Sequence, residues 1–291
     1  MITEKAYAKI NLSLDVTGKR PDGYHDVRMV MQTVDIYDTL IFEKAPEGIT
    51  IDVGGSLLPV DGDNLIYKAA RAVMDECGIK EGVSITLDKH IPIAAGMAGG
   101  SSDAAATLRG VNRLFECGLS YDRLRELGVK IGADVPYCVE GGTILAEGIG
   151  EKLTVLSQLP GYILAVAKPK RGVSTGNIYK SLDEIFDTIS HPDVDAMVGV
   201  INTSQDLSFT AYLGNVLEYV TAPLCPEVDE IKKIFMASGC AGTLMTGSGP
   251  TVFAFFEKKE EAASAIEKVR KSDMCRDEEL FVTVLTTPKN V

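Results

Sequence analysis

Hydrophobic and polar residues alternate along the first clear element of the chain. From Ala6 to Val16 every even position is apolar and most odd positions are polar. A period of two predicts a β-strand with one face on the core and the other facing solvent or a cleft. Lys9 and Asn11 then project from the same side. A second alternating run from Met29 to Phe42 predicts two strands or one long bent strand.

Further along the chain the apolar spacing becomes helical. The apolar residues between Leu65 and Cys77 form a helical stripe that Gly78 ends. Strands and helices then alternate, which predicts an α/β or α+β protein. The expected strands are Val83–Leu87, Tyr162–Ala167 and Thr251–Phe256, and the expected helices are 103–115, Tyr121–Lys130, Thr175–Phe186, Phe209–Val220 and Glu227–Ser238.

The segment Leu159-Pro160-Gly161 precedes a predicted strand and is a plausible domain boundary. A chain of 291 residues is long enough for two domains of about 150 residues each. We therefore expect an N-terminal lobe at 1–160 and a C-terminal lobe at 161–291, which share a cleft.

One stretch of small residues stands out between a predicted strand and a predicted helix. A glycine loop that opens into a helix gathers unpaired N–H groups at the positive end of the helix dipole, so it favours phosphate. A tight turn is the alternative, although two serines at the helix entrance, each a possible N-cap, favour the anion site. The loop lacks the spacing of a P-loop or of a dinucleotide fingerprint. It consists of Pro92, Ile93, Ala94, Ala95, Gly96, Met97, Ala98, Gly99, Gly100, Ser101 and Ser102.

Composition excludes several functions. The net charge of −12 argues against a nucleic-acid surface, and the chain shows neither a membrane-spanning run nor a signal peptide, so we expect no nucleic-acid and no membrane partner. The six cysteines contain no CxxC pair, which indicates a reduced cytoplasmic protein. The three histidines have no metal-ligand spacing.

Three segments occur in an order that resembles the small-molecule kinases of the galactokinase, homoserine kinase, mevalonate kinase and phosphomevalonate kinase superfamily. They are Lys9-Ile10-Asn11-Leu12, Pro92–Ser102 and Thr246-Gly247-Ser248-Gly249. The resemblance covers essentially the first 180 residues and returns at Gly247. It implies an N-terminal lobe like the second domain of ribosomal protein S5 and a ferredoxin-like C-terminal lobe.

Two further segments, Gly23-Tyr24-His25 and Gly132-Ala133-Asp134-Val135-Pro136, resemble one branch of that superfamily. This branch phosphorylates the 2-hydroxyl of a cytidine diphosphate-linked methylerythritol, with ATP and Mg²⁺, in non-mevalonate isoprenoid precursor synthesis. Lys9 and Asp134 match its catalytic pair, and Pro92–Ser102 matches the loop around the ATP phosphates. The branch often has glycine where this chain has Ala98, which requires a negative φ there if the methyl group is to be tolerated.

The resemblance also implies binding residues. Asn64 and Lys89 match the adenine side, although a helix cap and a solvated lysine explain them equally well. The cytidine or erythritol end would meet Asn11, Tyr24, His25 and Tyr179, and the cleft would be closed by Gly247, Ser248 and Gly249, for which a hairpin turn is the alternative. The protein ligands of Mg²⁺ and the oligomeric state stay open.

Two other functions compete with this one. Another member of the superfamily would act on homoserine or mevalonate, but a Tyr-His pair suited to a nucleobase has no use there. A nucleotide-binding regulator, or a structural protein that binds an anion, would need neither Lys9 nor Asp134.

Overall fold

The alternating N-terminal run lies at the centre of a mixed sheet in the computed structural model, which describes residues 1–54, 62–204 and 206–288. The strands are β1 (Ile2–Lys19), β2 (His25–Ala45), β3 (Ile49–Asp52), β4 (Gly82–Asp88), β5 (Thr143–Gly148), β6 (Lys152–Val155), β7 (Ile163–Pro169), β8 (Gly214–Asn215), β9 (Gly242–Met245), β10 (Val252–Phe256) and β11 (Cys275–Val284).

The helices are α1 (Leu65–Glu76), α2 (Gly99–Leu114), α3 (Tyr121–Val129), α4 (Val135–Glu140), α5 (Thr175–Ile185), α6 (Val194–Thr203), α7 (Glu218–Leu224), α8 (Glu227–Ala237) and α9 (Lys259–Lys271). Two 3₁₀ turns lie at Phe186–Thr188 and Leu207–Tyr212.

The first sheet has the order β3-β4-β2-β1-β8. Strand β5 also pairs with β2, on the same edge as β4, and β6 pairs with β5. The run from Met29 to Phe42 is one long strand, since β2 pairs with β1 along nearly its whole length. Both edges of β1 are paired, and its polar positions are buried rather than solvated: Lys9 is 4% exposed and Asn11 is fully buried. The second face of β1, which was expected to meet solvent or a cleft, therefore meets a cleft at Lys9.

The second sheet is antiparallel, with the order β11-β7-β10-β9. With α8 and α9 it follows the β-α-β-β-α-β sequence of a ferredoxin-like unit, as expected. Ile10 and Leu12 of β1 share a buried cluster with Leu164 of β7 and with Phe253 and Phe255 of β10. The two sheets are thus joined by a common core.

Helices α1 to α4 cover the first sheet through a separate apolar cluster that includes Phe42 and Leu108. A Cβ atom at Gly110 would lie only 2.4 Å from Cε2 of Phe42, so the absence of a side chain lets α2 approach the sheet. This close contact holds the C-terminal part of α2 against β2, while the hydroxyl of Ser102 donates to the carbonyl oxygen of Tyr7 and ties the start of α2 to β1.

The predicted helix Phe209–Val220 is wrong. The segment contains the end of a 3₁₀ turn, then β8, then the start of α7. Asn215 interrupts the helix because its side chain bonds backbone groups: Nδ2 donates to the carbonyl oxygens of Met245 and Gly247, and Oδ1 accepts from the N–H of Leu217. Helix α9 and strand β11 were not predicted.

Strand β8 comes from the second half of the chain and pairs with β1 of the first half. The boundary between 1–160 and 161–291 remains a prediction, and residues 289–291 of the expected C-terminal lobe lie outside the described residues. Among the helices described, none is both long enough and apolar enough to cross a bilayer.

Candidate active site

A cavity of about 1030 Å³ lies where β1, the glycine loop, α5 and the β9–β10 turn meet. Its volume is at the upper limit of the usual range for small-molecule sites. Most of the residues proposed from the sequence line it: Lys9, Tyr24, His25, Asn64, Lys89, Pro92, Ile93, Ala94, Ala95, Gly96, Met97, Ala98, Gly99, Gly100, Ser101, Asp134, Tyr179, Gly247 and Ser248.

The glycine loop forms a cradle of backbone N–H groups. Alternate residues Ala94, Gly96 and Ala98 have φ values of 53°, 72° and 58°, the alternation that builds anion-binding concavities. Among the described residues, the N–H groups of 96–101 donate to no acceptor. Helix α2 starts at Gly99, so its positive end points into the same cradle.

Two expectations about this loop are wrong. Ala98 has a positive φ and is itself the N-cap, whereas a serine N-cap and a negative φ were predicted. The left-handed conformation costs an alanine about 1–2 kcal/mol, and the loop tolerates that cost where it starts the helix. Ser102 lies below the cradle, because its N–H donates to Ala98 O and its hydroxyl to Tyr7 O. Ser102 therefore has no donor left for a phosphate.

The second glycine loop packs directly on the first. A Cβ atom at Gly96 would lie 2.4 Å from the carbonyl oxygen of Thr246, and one at Gly247 would lie 2.6 Å from that of Gly96. Either contact is shorter than a real Cβ atom makes. Gly249 does not line the cavity but sits behind this contact, against the Met245 sulfur. The two loops form one backbone wall, and glycine is needed on both sides of it.

Lys9 and Asp134 both line the cavity and form an ion pair. Lys9 Nζ lies 3.9 Å from Asp134 Oδ2, and the carboxylate side chain is 30% exposed. Asp134 occupies the N-cap position of α4, but its side chain makes no cap hydrogen bond. Its carboxylate is therefore available to a ligand.

Asn11 does not line the cavity and acts instead behind Lys9. Its Oδ1 accepts from Lys9 Nζ at 2.7 Å, and the Gly96 carbonyl accepts from the same ammonium at 3.1 Å. The Asn11 N–H donates to Thr246 Oγ1 at 2.9 Å. The ammonium is thus held by two acceptors, and the hydroxyl of Thr246, which was not predicted, connects it to the second glycine loop.

Tyr24, His25 and Tyr179 form the other end of the cavity. The His25 and Tyr179 rings lie 5.1 Å apart at 34°, while Tyr24 is 59% exposed. Burial, followed by the charge of Asp134, raises the pKa of Tyr179. Asp183 bonds His25 Nε2 at 2.7 Å and was missed, since it lies 158 residues away and has no local motif.

Asn64 and Lys89 lie beside the start of α2. Asn64 caps α1 by accepting from the N–H of Ile66, as the alternative explanation predicted, and it also lines the cavity. Lys89 is not a solvated lysine: its Nζ bonds Asp103 Oδ2 at 2.9 Å and also Asp38. Burial raises the pKa of Asp103 to about 7, and the Lys89 charge opposes that rise. Asp38 and Asp103 were not foreseen from the sequence.

Comparison with known proteins identifies the class. The family model for the GHMP kinases N terminal domain matches residues 64–142, and the model for GHMP kinases C terminal matches residues 201–273. The crystal structure of a mevalonate kinase has a TM-score of 0.73 at 18% identity, covering 99% of this chain and 100% of that chain, which shows a shared fold. The chain belongs to the GHMP kinases and is an ATP-dependent small-molecule kinase.

Within that family the chain belongs to the 4-diphosphocytidyl-2-C-methyl-D-erythritol kinases. The relative of that name from Lachnospira eligens is 47% identical over 285 residues, which is 98% of each chain. The one from Exiguobacterium sibiricum is 50% identical over 262 residues, 90% of this chain and 91% of that protein. A crystal structure of 4-(cytidine 5'-diphospho)-2C-methyl-D-erythritol kinase has a TM-score of 0.82 at 30% identity, covering 99% of this chain and 100% of that chain.

Proposed function

We propose that the protein transfers the γ-phosphoryl group of ATP to the 2-hydroxyl of 4-diphosphocytidyl-2-C-methyl-D-erythritol, in non-mevalonate isoprenoid precursor synthesis. The observation that carries this proposal is the Lys9–Asp134 pair, at 3.9 Å, between an anion cradle and an aromatic-histidine end of the same cavity. A phosphate donor and a nucleobase-bearing acceptor could therefore meet at the pair from opposite ends.

The chemistry follows from this placement. The substrate hydroxyl oxygen forms a bond to the γ-phosphorus while the bond to the β-phosphate bridging oxygen breaks and ADP leaves. Asp134 orients the hydroxyl and receives its proton. Lys9, fixed by Asn11 and the Gly96 carbonyl, opposes the negative charge that develops between the nucleophile and the phosphorus. Phosphoryl transfer depends mainly on such positioning, because its transition state is loose.

The remaining contacts are assigned by position. The N–H groups of 96–101 would bind the β- and γ-phosphates, and Asn64 and Lys89 would lie on the adenine side. Tyr24, His25 and Tyr179 would hold the cytosine. Asn11 takes the role of positioning Lys9 rather than touching substrate, and Gly247 and Ser248 would close the cavity.

Mg²⁺ is the proposed companion of ATP, where it bridges phosphates and neutralises their charge. Among the described residues no group of three or more His, Cys, Asp or Glu forms a metal cage. Mg²⁺ usually keeps several waters and takes only one or two protein carboxylates, so it would be held chiefly by nucleotide oxygens and water. The carboxylates that line the cavity are Asp63, Asp103, Asp134 and Asp183. We place the enzyme in the cytoplasm, where its six cysteines stay as thiols.

The competing acceptors, homoserine and mevalonate, lack a base for the aromatic end of the cavity. A nucleotide-binding regulator would gain nothing from a lysine held by two acceptors beside a carboxylate. Both alternatives therefore leave part of the cavity without a use.

The deciding experiment measures transfer of the ATP γ-phosphate to 4-diphosphocytidyl-2-C-methyl-D-erythritol, mevalonate and homoserine. We expect Mg²⁺-dependent turnover of the cytidyl substrate alone. Asp134→Asn should lower kcat by about 10²–10⁴-fold with ATP still bound, because proton transfer is lost. Asp187→Asn, whose carboxylate is exposed outside the cavity, is the control. ATP binding without transfer to any of the three acceptors would favour the regulator.

A further inference from the structure

Helix α5 contributes one continuous face to the cavity. Its cavity-lining residues are spaced i, i+1, i+4, i+5 and i+8, the pattern of a single helical side. This face brings a carboxylate from the second half of the chain to the end of β1 and the start of β2. The residues are Thr175, Gly176, Tyr179, Lys180 and Asp183.

Asp183 divides its two oxygens between two partners. Oδ1 lies 2.7 Å from His25 Nε2, and Oδ2 lies 2.5 Å from Lys19 Nζ. Hydrogen bonds from Lys19 and then from His25 lower the pKa of Asp183, so it is ionised at neutral pH. An ionised carboxylate only accepts hydrogen bonds, and His25 Nε2 must therefore carry a proton.

The protonation of the other ring nitrogen of His25, Nδ1, follows from this. Lys19 already balances the charge of Asp183, so the carboxylate does not require a positively charged imidazole beside it. A neutral imidazole with a proton on Nε2 has a bare acceptor at Nδ1. Among the described residues nothing bonds to Nδ1, although the side chain is only 9% exposed and lines the cavity. Tyr179 packs against the ring and limits its rotation.

We propose that Asp183 is a positioning residue that selects the base of the acceptor substrate, by holding His25 as the tautomer whose Nδ1 accepts a hydrogen bond. The matching ligand is a nucleobase with an exocyclic amino group, such as cytosine. Uracil presents a carbonyl oxygen at that place, so two acceptors would face each other, which a buried site disfavours. The inference rests on the proposed function, since it assumes that the base lies at this end of the cavity.

The first test is spectroscopic and needs no turnover. The chain has three histidines, so long-range ¹⁵N–¹H spectra of ¹⁵N-histidine protein contain three ring systems, and His25→Gln assigns the one of interest. We expect the Nε2–H tautomer in the wild type and a mixture in Asp183→Asn, with Asp187→Asn unchanged. Cytidine 5'-diphosphate should shift the His25 signals at concentrations at which uridine 5'-diphosphate does not.

The second test is kinetic. Asp183→Asn should raise KM for the cytidyl substrate about 10–100-fold, the loss expected for a hydrogen bond supported by a charge. Its kcat and its KM for ATP should change less than about threefold, because Lys9, Asp134 and the cradle are untouched. The preference over the uridine counterpart should fall at least about tenfold.

The outcomes separate the two proposals. An Nδ1–H tautomer in the wild type, or unchanged tautomer and base preference in Asp183→Asn, would overturn the role of Asp183 even if the enzyme works as proposed. A wild type that shows the Nε2–H tautomer and the cytidine 5'-diphosphate shift, yet transfers no phosphate to the cytidyl substrate, would keep the role of Asp183 and reject the proposed function.

Discussion

The two ends of the cavity are built from different parts of the polypeptide. The end proposed to bind phosphate is backbone: two glycine loops touch at Gly96 and Gly247, and the N–H groups of 96–101 donate to no acceptor among the described residues. The base end is side chain: His25, Tyr179, Asp183 and Lys19 come from opposite halves of the chain and meet through rings and charges. Under the proposed function, the first end would bind the phosphate that every nucleotide shares, and the second would bind the base that distinguishes one substrate.

The difference predicts two kinds of sensitivity. A cavity wall made of backbone atoms has no room for an added Cβ atom, but its shape depends little on which side chains are present. A wall of side chains tolerates small backbone adjustments but loses recognition when one group is removed. Substitutions of similar size should therefore affect folding and ATP use at the first end and only acceptor binding at the second.

The largest effect is expected at Gly96→Ala. The new Cβ atom would lie 2.4 Å from the Thr246 carbonyl oxygen, at a φ of 72° that strains any side chain. Overpacking and the left-handed conformation together should cost about 3 kcal/mol or more of unfolding free energy. The kcat/KM for ATP should fall by about 10²-fold or more, since the cradle must shift. Urea unfolding and initial rates measure both quantities.

The matched control is Gly199→Ala, in the interior of α6, where an added Cβ atom meets nothing within 4 Å. Alanine should stabilise that helix by up to about 1 kcal/mol. Equal stability of the Gly96→Ala and Gly199→Ala proteins would contradict the idea that the loops touch backbone to backbone.

The next effect concerns the buried carboxyl below the cradle. Burial raises the pKa of Asp103 to about 7, well above its ordinary value of 3.8. The native state therefore binds this proton more tightly than the unfolded state, so the contribution of Asp103 to stability falls as pH rises from about 4 to 7. In Asp103→Asn that decline is absent, and the variant should gain about 3–4 kcal/mol relative to the wild type between pH 4 and pH 8.

Urea unfolding of both proteins at several pH values measures this difference. A constant offset from the altered Lys89 contact cancels when the pH dependences of the two proteins are compared. Parallel pH curves for wild type and variant would show that Asp103 ionises normally in the folded protein. Asp103 would then act only as an ion-pair partner of Lys89.

The same contrast explains what could be predicted from the sequence. The cradle is one contiguous stretch, and Lys9 and Asp134 each lie in a short motif, so local pattern and resemblance located them. Asp183 is an acidic residue in an unremarkable helix, and its role depends on a contact across 158 residues. The positive φ of Ala98 was missed because the cost to alanine is small enough for tertiary packing to override. Strand β8 was missed because the side chain of Asn215 ends the helical pattern through distant backbone partners.

A smaller effect, confined to acceptor binding, is expected for Tyr24→Ala at the base end. The side chain is 59% exposed, so its loss should leave unfolding free energy within about 0.5 kcal/mol of the wild type. Stacking on a base contributes about 1–3 kcal/mol, so KM for the cytidyl substrate should rise about 5–100-fold. Tyr24→Phe should restore most of the loss. An equal rise in KM for ATP would mean that the base end serves both ligands.

The smallest effect is expected at Thr246, whose hydroxyl connects the second glycine loop to Asn11 of β1. Thr246→Val keeps the shape of the side chain but leaves the buried N–H of Asn11, now bonded to Oγ1 at 2.9 Å, without an acceptor. An unsatisfied buried donor costs about 1–3 kcal/mol, and we expect Thr246→Val to lower the unfolding free energy by about 1–2 kcal/mol in urea unfolding.

The control is Thr243→Val. The hydroxyl lost there donates to the carbonyl oxygen of Phe253, and carbonyl groups tolerate a missing partner better than N–H groups do. Thr246→Val should also lower kcat a few-fold, because Asn11 positions Lys9, whereas Thr243→Val should not. Equal losses of stability and of kcat in the two variants would show that Thr246 acts through packing alone and that its hydrogen bond to Asn11 does not affect Lys9.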